Sequence, residues 1–512
     1  MRLAFAIDSV PFTQAVIAGE TSLGGSESAC LALARALAKR GHSVSLFATK
    51  LDPSAVGKDA YGCHWRPAED LAALHATVEW DALIVLRAYF LFHEHARRAR
   101  LRLVWNEDLM APPMVATAMA CAWQVDQWVY VSDFHQRQWE QAQPDLKGFG
   151  WATVNPVDLS LIPTSGPKDP SRLIHISRPE RGLQPLLAMW PAFRKAHPHA
   201  TLAVCRYSSM YDAGGWGQVC RAYDTAVDEI GQAAGGIVRL GELSKAQLYA
   251  ELSKAAGLWY PGVVDFAETS CIAAIEAQAC GTPVIASFKG ALPETAEPSW
   301  RQGLLIDGDA TTDAYREASM AAAGRVLDGC QHSRRWYRDL QEAGRAHAQR
   351  YGADLVAAQW EAHLNRLFVD RFQANPIGVV RQLMHDDDYV SAREAITVAR
   401  GIASVPQPEL GALMARCETV IDGEDYSAEL YAANAVQDPA FEAKASNRLT
   451  ATAKHFGPVS HVLDVACGNG AFALAMAAAR PATHITGGEY SAANTAAATP
   501  AAEAAGIAGR VR

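Results

Sequence analysis

The sequence predicts an α/β protein built from two open, mainly parallel sheets, a helical spacer and the beginning of a third α/β unit. Three observations predict this. Strand and helix patterns alternate through residues 1–165, the alternation restarts after the Pro/Gly-rich stretch Pro163–Pro170, and residues 371–422 carry helix-like patterns alone before a strand and glycine turn begin at Val462. The chain has 512 residues, room for about three or four domains at roughly 100–200 residues each. Half of it is hydrophobic and 20% is charged, which excludes a disordered, collagen-like or coiled-coil chain. The 46 Lys and Arg face 55 Asp and Glu, a formal charge of −9 that supplies no excess cation for a polyphosphate backbone, so no nucleic-acid partner is expected.

The elements follow in order. Arg2–Asp8 is an apolar run of strand length, and Ser26–Arg40 carries Cys30, Leu33 and Leu37 at the spacing of one helix face, with Gly41 as its stop. His42–Thr49, Asp81–Leu86, Leu101–Trp105 and Gln127–Ser132 read as strands. This β-loop-α-β order demands crossover helices and a parallel sheet. Beyond the linker, Leu173–Ser177, Thr201–Cys205, Gly236–Leu240, Leu258–Tyr260 and Pro283–Ser287 read as strands of a second such sheet. Leu355–Phe368 reads as a long amphipathic helix, and Val379–Met384 and Tyr389–Ile402 as helices of the spacer.

Ten scattered cysteines without a C-x-x-C pair fit free thiols in a reducing compartment better than a disulfide framework or a zinc site. The opening residues are interrupted too early by Asp8 for a secretory leader, and no run reaches the ~18–20 apolar residues a bilayer span needs. A cytoplasmic protein is expected, with peripheral contact at the inner membrane face left open. Asp386-Asp387-Asp388 reads as a capping or solvated acidic run, since a D-x-D metal clamp would follow a strand; no metal is expected.

Three segments carry chemistry. Leu23-Gly24-Gly25-Ser26-Glu27 lies between the first strand and its helix, where glycines admit a close ligand and the helix start suits phosphate. The same residues could equally be a glycine turn with Ser26 as N-cap. Because this is not G-x-G-x-x-G, a nicotinamide dehydrogenase loses its best support. Ser177-Arg178-Pro-Glu-Arg181-Gly182 places two guanidinium groups at a strand-to-helix loop, where a diphosphate would find charge-assisted partners, unless the loop is merely a solvated basic turn. In Asp265–Ser287, Thr269 or Ser270 can cap a helix whose buried stripe is Ile272, Ile275 and Ala279 and whose stop is Gly281. Glu268 and Glu276 bracket its start, able to accept hydrogen bonds from a sugar and a ribose, or else to sit on an exposed helix.

The last segment resembles the E-x7-E element of retaining GT-B glycosyltransferases of family 4, with the continuation Ala279-Cys-Gly-Thr-Pro-Val-Ile-Ala-Ser287. Gly24-Gly25-Ser26-Glu27 is similar to that family's N-terminal glycine loop, Asn155-Pro-Val-Asp158 to its N-G-V-D turn and Leu292-Pro-Glu294 to its L-P-E loop. The resemblance spans about residues 1–365. It implies a Rossmann-like acceptor-side domain (1–165) and a Rossmann-like nucleotide-sugar domain (166–370) in a GT-B arrangement, with Leu355–Phe368 crossing back to the first. It further implies a UDP- or GDP-sugar donor between them, Arg178 and Arg181 on the diphosphate, Glu276 on the ribose, Glu268 near the donor sugar, and Gly24, Gly25, Thr269 and Ser270 along the donor. The acceptor would be a glycan or lipid-linked glycan. Departures are Arg181 where Lys is usual, Thr269-Ser-Cys where Gly-Phe-Gly is common, and Trp105-Asn-Glu107-Asp108 where W-x-H-D is frequent; Glu107 and Asp108 are the acceptor-side catalytic candidates.

Val462-Leu-Asp464-Val-Ala-Cys-Gly468-Asn-Gly470 is a strand entering a glycine turn, and the next strand, His484–Thr486, is followed by Glu489. This resembles motif one of Rossmann-like S-adenosylmethionine-dependent methyltransferases, implying Asp464, Gly468, Gly470 and Glu489 at the cofactor in a partial domain, 423–512, after the helical spacer 371–422. The expected function is therefore retaining transfer of a sugar from a nucleoside-diphosphate donor to a glycan in surface polysaccharide synthesis, fused to a truncated methyltransferase. The alternative is a methyltransferase whose GT-B part only binds glycan. Modification of DNA or protein would need a basic acceptor face or a peptide groove, to which the charge of −9 gives no support, and the spacer could be a partner-binding platform.

Overall fold

A computed structural model describes residues 1–420, apart from 76–77, 79, 88, 90, 93–98, 111, 164–165, 206–215, 263–265, 386–388 and 402–404, together with 461–465 and 484–488. Two compact units divide the chain at 367/368.

The first unit holds two sheets. One runs through β1 (Arg2–Ile7), β2 (Ser43–Ala48), β3 (Gly57–Lys58), β4 (His64–Pro67), β5 (Trp80–Leu86), β6 (Ala99–Trp105), β7 (Gln127–Tyr130) and β8 (Gly150–Ala152). Their spatial order is β3-β4-β2-β1-β5-β6-β7-β8, parallel throughout except for the antiparallel β3–β4 edge. The other runs through β9 (Asp169–His175), β10 (Thr201–Cys205), β11 (Ile237–Gly241), β12 (Ala255–Tyr260), β13 (Val284–Ser287) and β14 (Leu305–Ile306). It is wholly parallel in the order β11-β10-β9-β12-β13-β14, the doubly wound arrangement. In each sheet the strand order reverses once, between β1 and β5 and between β9 and β12. Ligands of open α/β sheets bind beyond the carboxyl ends of the strands at such a reversal.

Burial on both faces explains why these strands read as continuous apolar runs. β12 is buried along its whole length, and β1 and β2 from their second residue on. The predicted strands are all present, with small shifts of their ends. Two expectations are corrected. Asp169 and Pro170, assigned to the linker, open β9, and the very short β3, β8 and β14 had no periodicity to announce them.

Helix α1 (Gly25–Lys39) follows β1, α2 (Asp133–Ala142) follows β7, α3 (Leu183–Ala196) follows β9, α4 (Lys245–Lys254) follows β11 and α5 (Ile272–Ala279) follows β12. The long helix α6 (Ala353–Ala374) comes last in this order yet packs on the first sheet. Trp360 contacts Trp105 and Trp151 with ring centroids 5.2 Å apart in each case, and His363 stacks on Trp151 at 3.8 Å. The expected crossing back is thus built from aromatic burial.

In the second unit, α7 (Pro376–His385), α8 (Tyr389–Ala399) and a helical stretch at 407–420 enclose Val380, Ile396, Leu410 and Cys417. β15 (His461–Val465) pairs in parallel with β16 (His484–Gly488). Asp386–Asp388 and the rest of 421–512 lie outside the described residues. Among the described residues no helix is long and apolar enough to cross a membrane.

Candidate functional site

The two strand-order reversals of the first unit face each other. Thr269 Oγ1 donates to the Glu107 carbonyl at 2.9 Å, and Ser132 Oγ donates to the Thr269 carbonyl at 2.6 Å. Glu294, from the L-P-E loop, accepts from the Phe134 amide at 3.1 Å and from Arg137 at 2.6 Å. A cleft of about 640 Å³ opens beside these contacts, lined by Leu109, Met110, Gln138, Phe266, Ala267 and Lys289.

On the second-sheet side, Arg178 and Arg181 stand in the loop between β9 and α3, as expected. Arg178 Nε pairs with Glu180 at 3.0 Å. Arg181 Nη1 reaches both Glu268 oxygens at 3.4 and 3.5 Å, and its guanidinium lies 4.3 Å over the Phe266 ring. Burial works against the Arg181 charge, but Glu268 opposite it more than compensates and holds the group firmly protonated. Gly182 makes the loop fit: its φ is +102°, and a Cβ there would stand 1.9 Å from the Pro261 carbonyl oxygen.

Neither glutamate lies on an exposed helix. Glu268 is buried and also accepts from the Tyr260 hydroxyl at the end of β12. Glu276 is buried within α5, where its Oε1 accepts from Lys245 Nζ at 2.5 Å and from the Tyr249 hydroxyl at 3.2 Å. Lys245 and Tyr249, both on α4, were not foreseen; only the fold brings that helix beside α5.

Three local expectations change. The N-cap of α5 is Cys271, without a side-chain cap bond, because Thr269 spends its hydroxyl on the first sheet and Ser270 is buried beside it. Ser26 is no N-cap either: Gly24 holds that position and Ser26 lies inside the first turn of α1. Gly25 lacks a side chain for a packing reason, since a Cβ would stand 3.0 Å from Ile272 Cδ1 across the two sheets.

Of the acceptor-side pair, Asp108 is partly exposed and Glu107 is buried. The Asp108 side chain is 36% exposed and meets Arg87 through Nε at 2.5 Å and Nη2 at 2.9 Å. Burial would raise its carboxyl, but the Arg87 guanidinium overrides this and holds it below the ordinary carboxylate range. Glu107 is buried behind it, accepting from Asn155 Nδ2 at 3.0 Å, with its other oxygen unpartnered. Burial pushes this carboxyl up to about 8, so it is a neutral acid at pH 7. Arg87 and Glu27 complete the cluster, paired at 2.8 Å. Arg87 escaped the sequence reading; the one available signal was a charged residue directly after the apolar strand β5 at the strand-order reversal.

Asp464 lies on β15 with its Cα opposite Gly487, while Gly468, Gly470 and Glu489 lie outside the described residues. Among the described residues no group of three or more His, Cys, Asp or Glu side chains is arranged to hold a metal ion.

Comparison with known proteins agrees with this layout. Residues 171–322 match the family described as glycosyl transferases group 1. That match lies over the second sheet, β9 to β14. A GDP-mannose-dependent monoacylated alpha-(1-6)-phosphatidylinositol monomannoside mannosyltransferase of Corynebacterium glutamicum is 30% identical over 170 residues, 30% of this chain and 40% of that protein. The chain thus spans less than half the length of that curated relative. A solved trehalose-6-phosphate synthase superposes with a TM-score of 0.56 at 12% identity, over 71% of this chain and 99% of that one. The Anabaena protein HepE, solved with UDP and glucose, superposes with a TM-score of 0.51 at 16% identity, over 72% of this chain and all of that one. At such identities the chain shares with both the fold alone: two Rossmann-like sheets in a GT-B arrangement.

Proposed function

We propose that this protein moves a sugar from a nucleoside-diphosphate donor to a hydroxyl of a glycan or lipid-linked glycan, with retention at the anomeric carbon, in building a surface polysaccharide. The observation that carries this reading is the placement of Arg181. A firmly protonated guanidinium stands beyond the carboxyl end of β9, between Glu268 and the Phe266 ring, near enough to Asp108 to lower its carboxyl. A donor diphosphate would take the place of a carboxylate as its partner. The name of the Corynebacterium relative and the UDP of the Anabaena structure support GDP- or UDP-sugars as the donors to try first.

In this reading the bond between the anomeric carbon and the diphosphate oxygen breaks while Arg181 and Arg178 neutralise the charge gathering on the leaving group. The acceptor hydroxyl attacks from the same face and passes its proton to the departing phosphate oxygen. Asp108 accepts a hydrogen bond from that hydroxyl and orients it. Glu276 Oε2 takes the ribose hydroxyls, its Oε1 being engaged by Lys245 and Tyr249. Thr269, Ser270 and Gly24 border the donor in this reading, while Gly25 packs against Ile272.

A thermal-shift panel of UDP-, GDP- and ADP-sugars beside S-adenosylmethionine tests the donor class, since a ligand that binds only the folded protein raises its melting temperature. We expect a shift with one nucleotide sugar and release of its nucleoside diphosphate. Arg181→Ala should lower that release about 10²–10³-fold, the cost of removing one charge-stabilising donor. Equal turnover by Arg181→Ala would defeat the reading.

A second reading concerns residues 423–512. Its support is the resemblance of Val462–Gly470 to a methyltransferase motif, with which the parallel pairing of β15 and β16 is compatible. A thermal shift confined to S-adenosylmethionine would favour a methyltransferase with a glycan-binding first unit.

A further inference from the structure

We propose that Arg87 is a positioning residue: anchored on the buried Glu27, its guanidinium fork presents the Asp108 carboxylate to the acceptor hydroxyl at the rim of the cleft. This rests on the function proposed above and concerns the half of the site that no donor contact explains.

The geometry is over-determined. Arg87 follows β5 at the strand-order reversal and has φ of 63°, the left-handed region that a long side chain seldom occupies. Such a conformation is strained and persists where surrounding contacts impose it. Here they are plain. Nε and Nη2 hold both Asp108 oxygens, at 2.5 and 2.9 Å, and Nη2 also donates to Ser26 Oγ at 3.0 Å. Nη1 donates to Glu27 Oε1 at 2.8 Å and lies 3.5 Å from Ser9 Oγ. Ser9 in turn donates to Glu27. Residues from the ends of β1, β5 and β6 and the first turn of α1 thus converge on one guanidinium.

The two carboxylates it joins are not equivalent. Glu27 is 2% exposed and Asp108 is 36% exposed. A counter-ion needed only for charge balance gains nothing by reaching solvent, and Glu27 already fills that role. The wet carboxylate is the one free to meet a substrate. Two carboxylates against one guanidinium leave one negative charge, and Glu107 beside them does not share it because burial keeps it protonated. The surplus charge therefore sits on Asp108. The other groups facing Asp108 are Arg181 from the second sheet and His135 from α2, and burial pushes His135 down to about 4, so it is neutral near pH 7. Tyr89, near both Arg87 and Asp108, stays a neutral phenol donating to Asn106 at 2.7 Å. Lysine could supply charge at position 87 but not the two-pronged grip.

The test is steady-state release of nucleoside diphosphate from UDP-glucose and GDP-mannose with water as acceptor, over a pH series, for wild type, Arg87→Met, Arg87→Lys and Asp108→Asn, with donor binding read by thermal shift. We expect Arg87→Met to lose about 10- to 100-fold in kcat, as for a misplaced catalytic group, with the donor shift unchanged. Its acid limb should move to higher pH, because the carboxyl loses the cation that holds it ionised. Arg87→Lys should lie between it and wild type, and Asp108→Asn should abolish the acid limb. Arg87→Lys keeps the charge, so it carries the same comparison if Arg87→Met does not accumulate as folded protein. A fall in kcat with an unmoved acid limb would show a merely structural residue, and a lost donor shift a donor ligand; either result overturns the proposal. Wild type inert toward every donor would instead defeat the functional reading on which it stands.

Discussion

The two sheets of the first unit share a strand-order reversal but arm it differently. The second sheet places its charged groups close together in sequence, Arg178 and Arg181 in one loop and Glu268 and Glu276 about one short helix. The first assembles Ser9, Glu27, Arg87, Glu107, Asp108 and Asn155 from separate loops into one largely buried cluster. Groups that lie near one another in the chain can be recognised as a motif, whereas groups that meet only after a sheet has closed cannot. The second sheet's devices are accordingly local turns and pairs, and the first sheet's are tertiary.

Perturbing one sheet at a time sharpens that contrast. The largest effect is expected from Trp360→Ala, which empties the aromatic cluster against Trp105 and Trp151 and should cost about 3–5 kcal/mol. Hydrogen exchange should rise in β6 and β8 before it rises in the second sheet, and uniform loss of protection would show that the two sheets unfold as one. Gly182→Ala acts on the other sheet. The clash with the Pro261 carbonyl and the positive φ should cost about 3 kcal/mol and displace the Arg181 loop, seen as a lower melting temperature and a weaker donor shift.

The smallest effect is conditional on pH. The Glu107 carboxyl titrates near 8 in the folded protein against 4.5 for an unperturbed glutamate. As pH rises above the lower value the unfolded chain loses this proton first, so the contribution of Glu107 to stability is complete at low pH and is lost progressively up to the folded value. Glu107→Gln keeps an acceptor for Asn155 and removes the titration. It should therefore match wild type at about pH 4 and exceed it at about pH 8 in urea unfolding. Equal stabilities at both pH values would mean that the Glu107 pocket admits water.

Much of the fold was legible because parallel strands buried on both faces need runs such as Leu3–Ile7 and Ala255–Tyr260 to be apolar throughout. Helix stops at Gly41 and Gly281 were equally local, and α1 and α5 end just before them. Legibility failed where a side chain had two possible partners. Thr269 suits a helix cap by position, but the Glu107 carbonyl lies 162 residues away in sequence and takes its hydroxyl. Gly25 suits a ligand-facing loop by type, but Ile272 fills the space beside it.

The sequence by itself determined the order of strands and helices, the open parallel class of both sheets and the loops that carry the two arginines and the two glutamates. Periodicity and turn chemistry act over a few residues, so they can be read without coordinates. Only the tertiary structure decided which acid is dry and which is wet, that Arg87 joins Glu27 to Asp108, and which rings hold α6 against the first sheet. Those outcomes depend on burial and on the meeting of distant loops, which exist only once the sheets have packed.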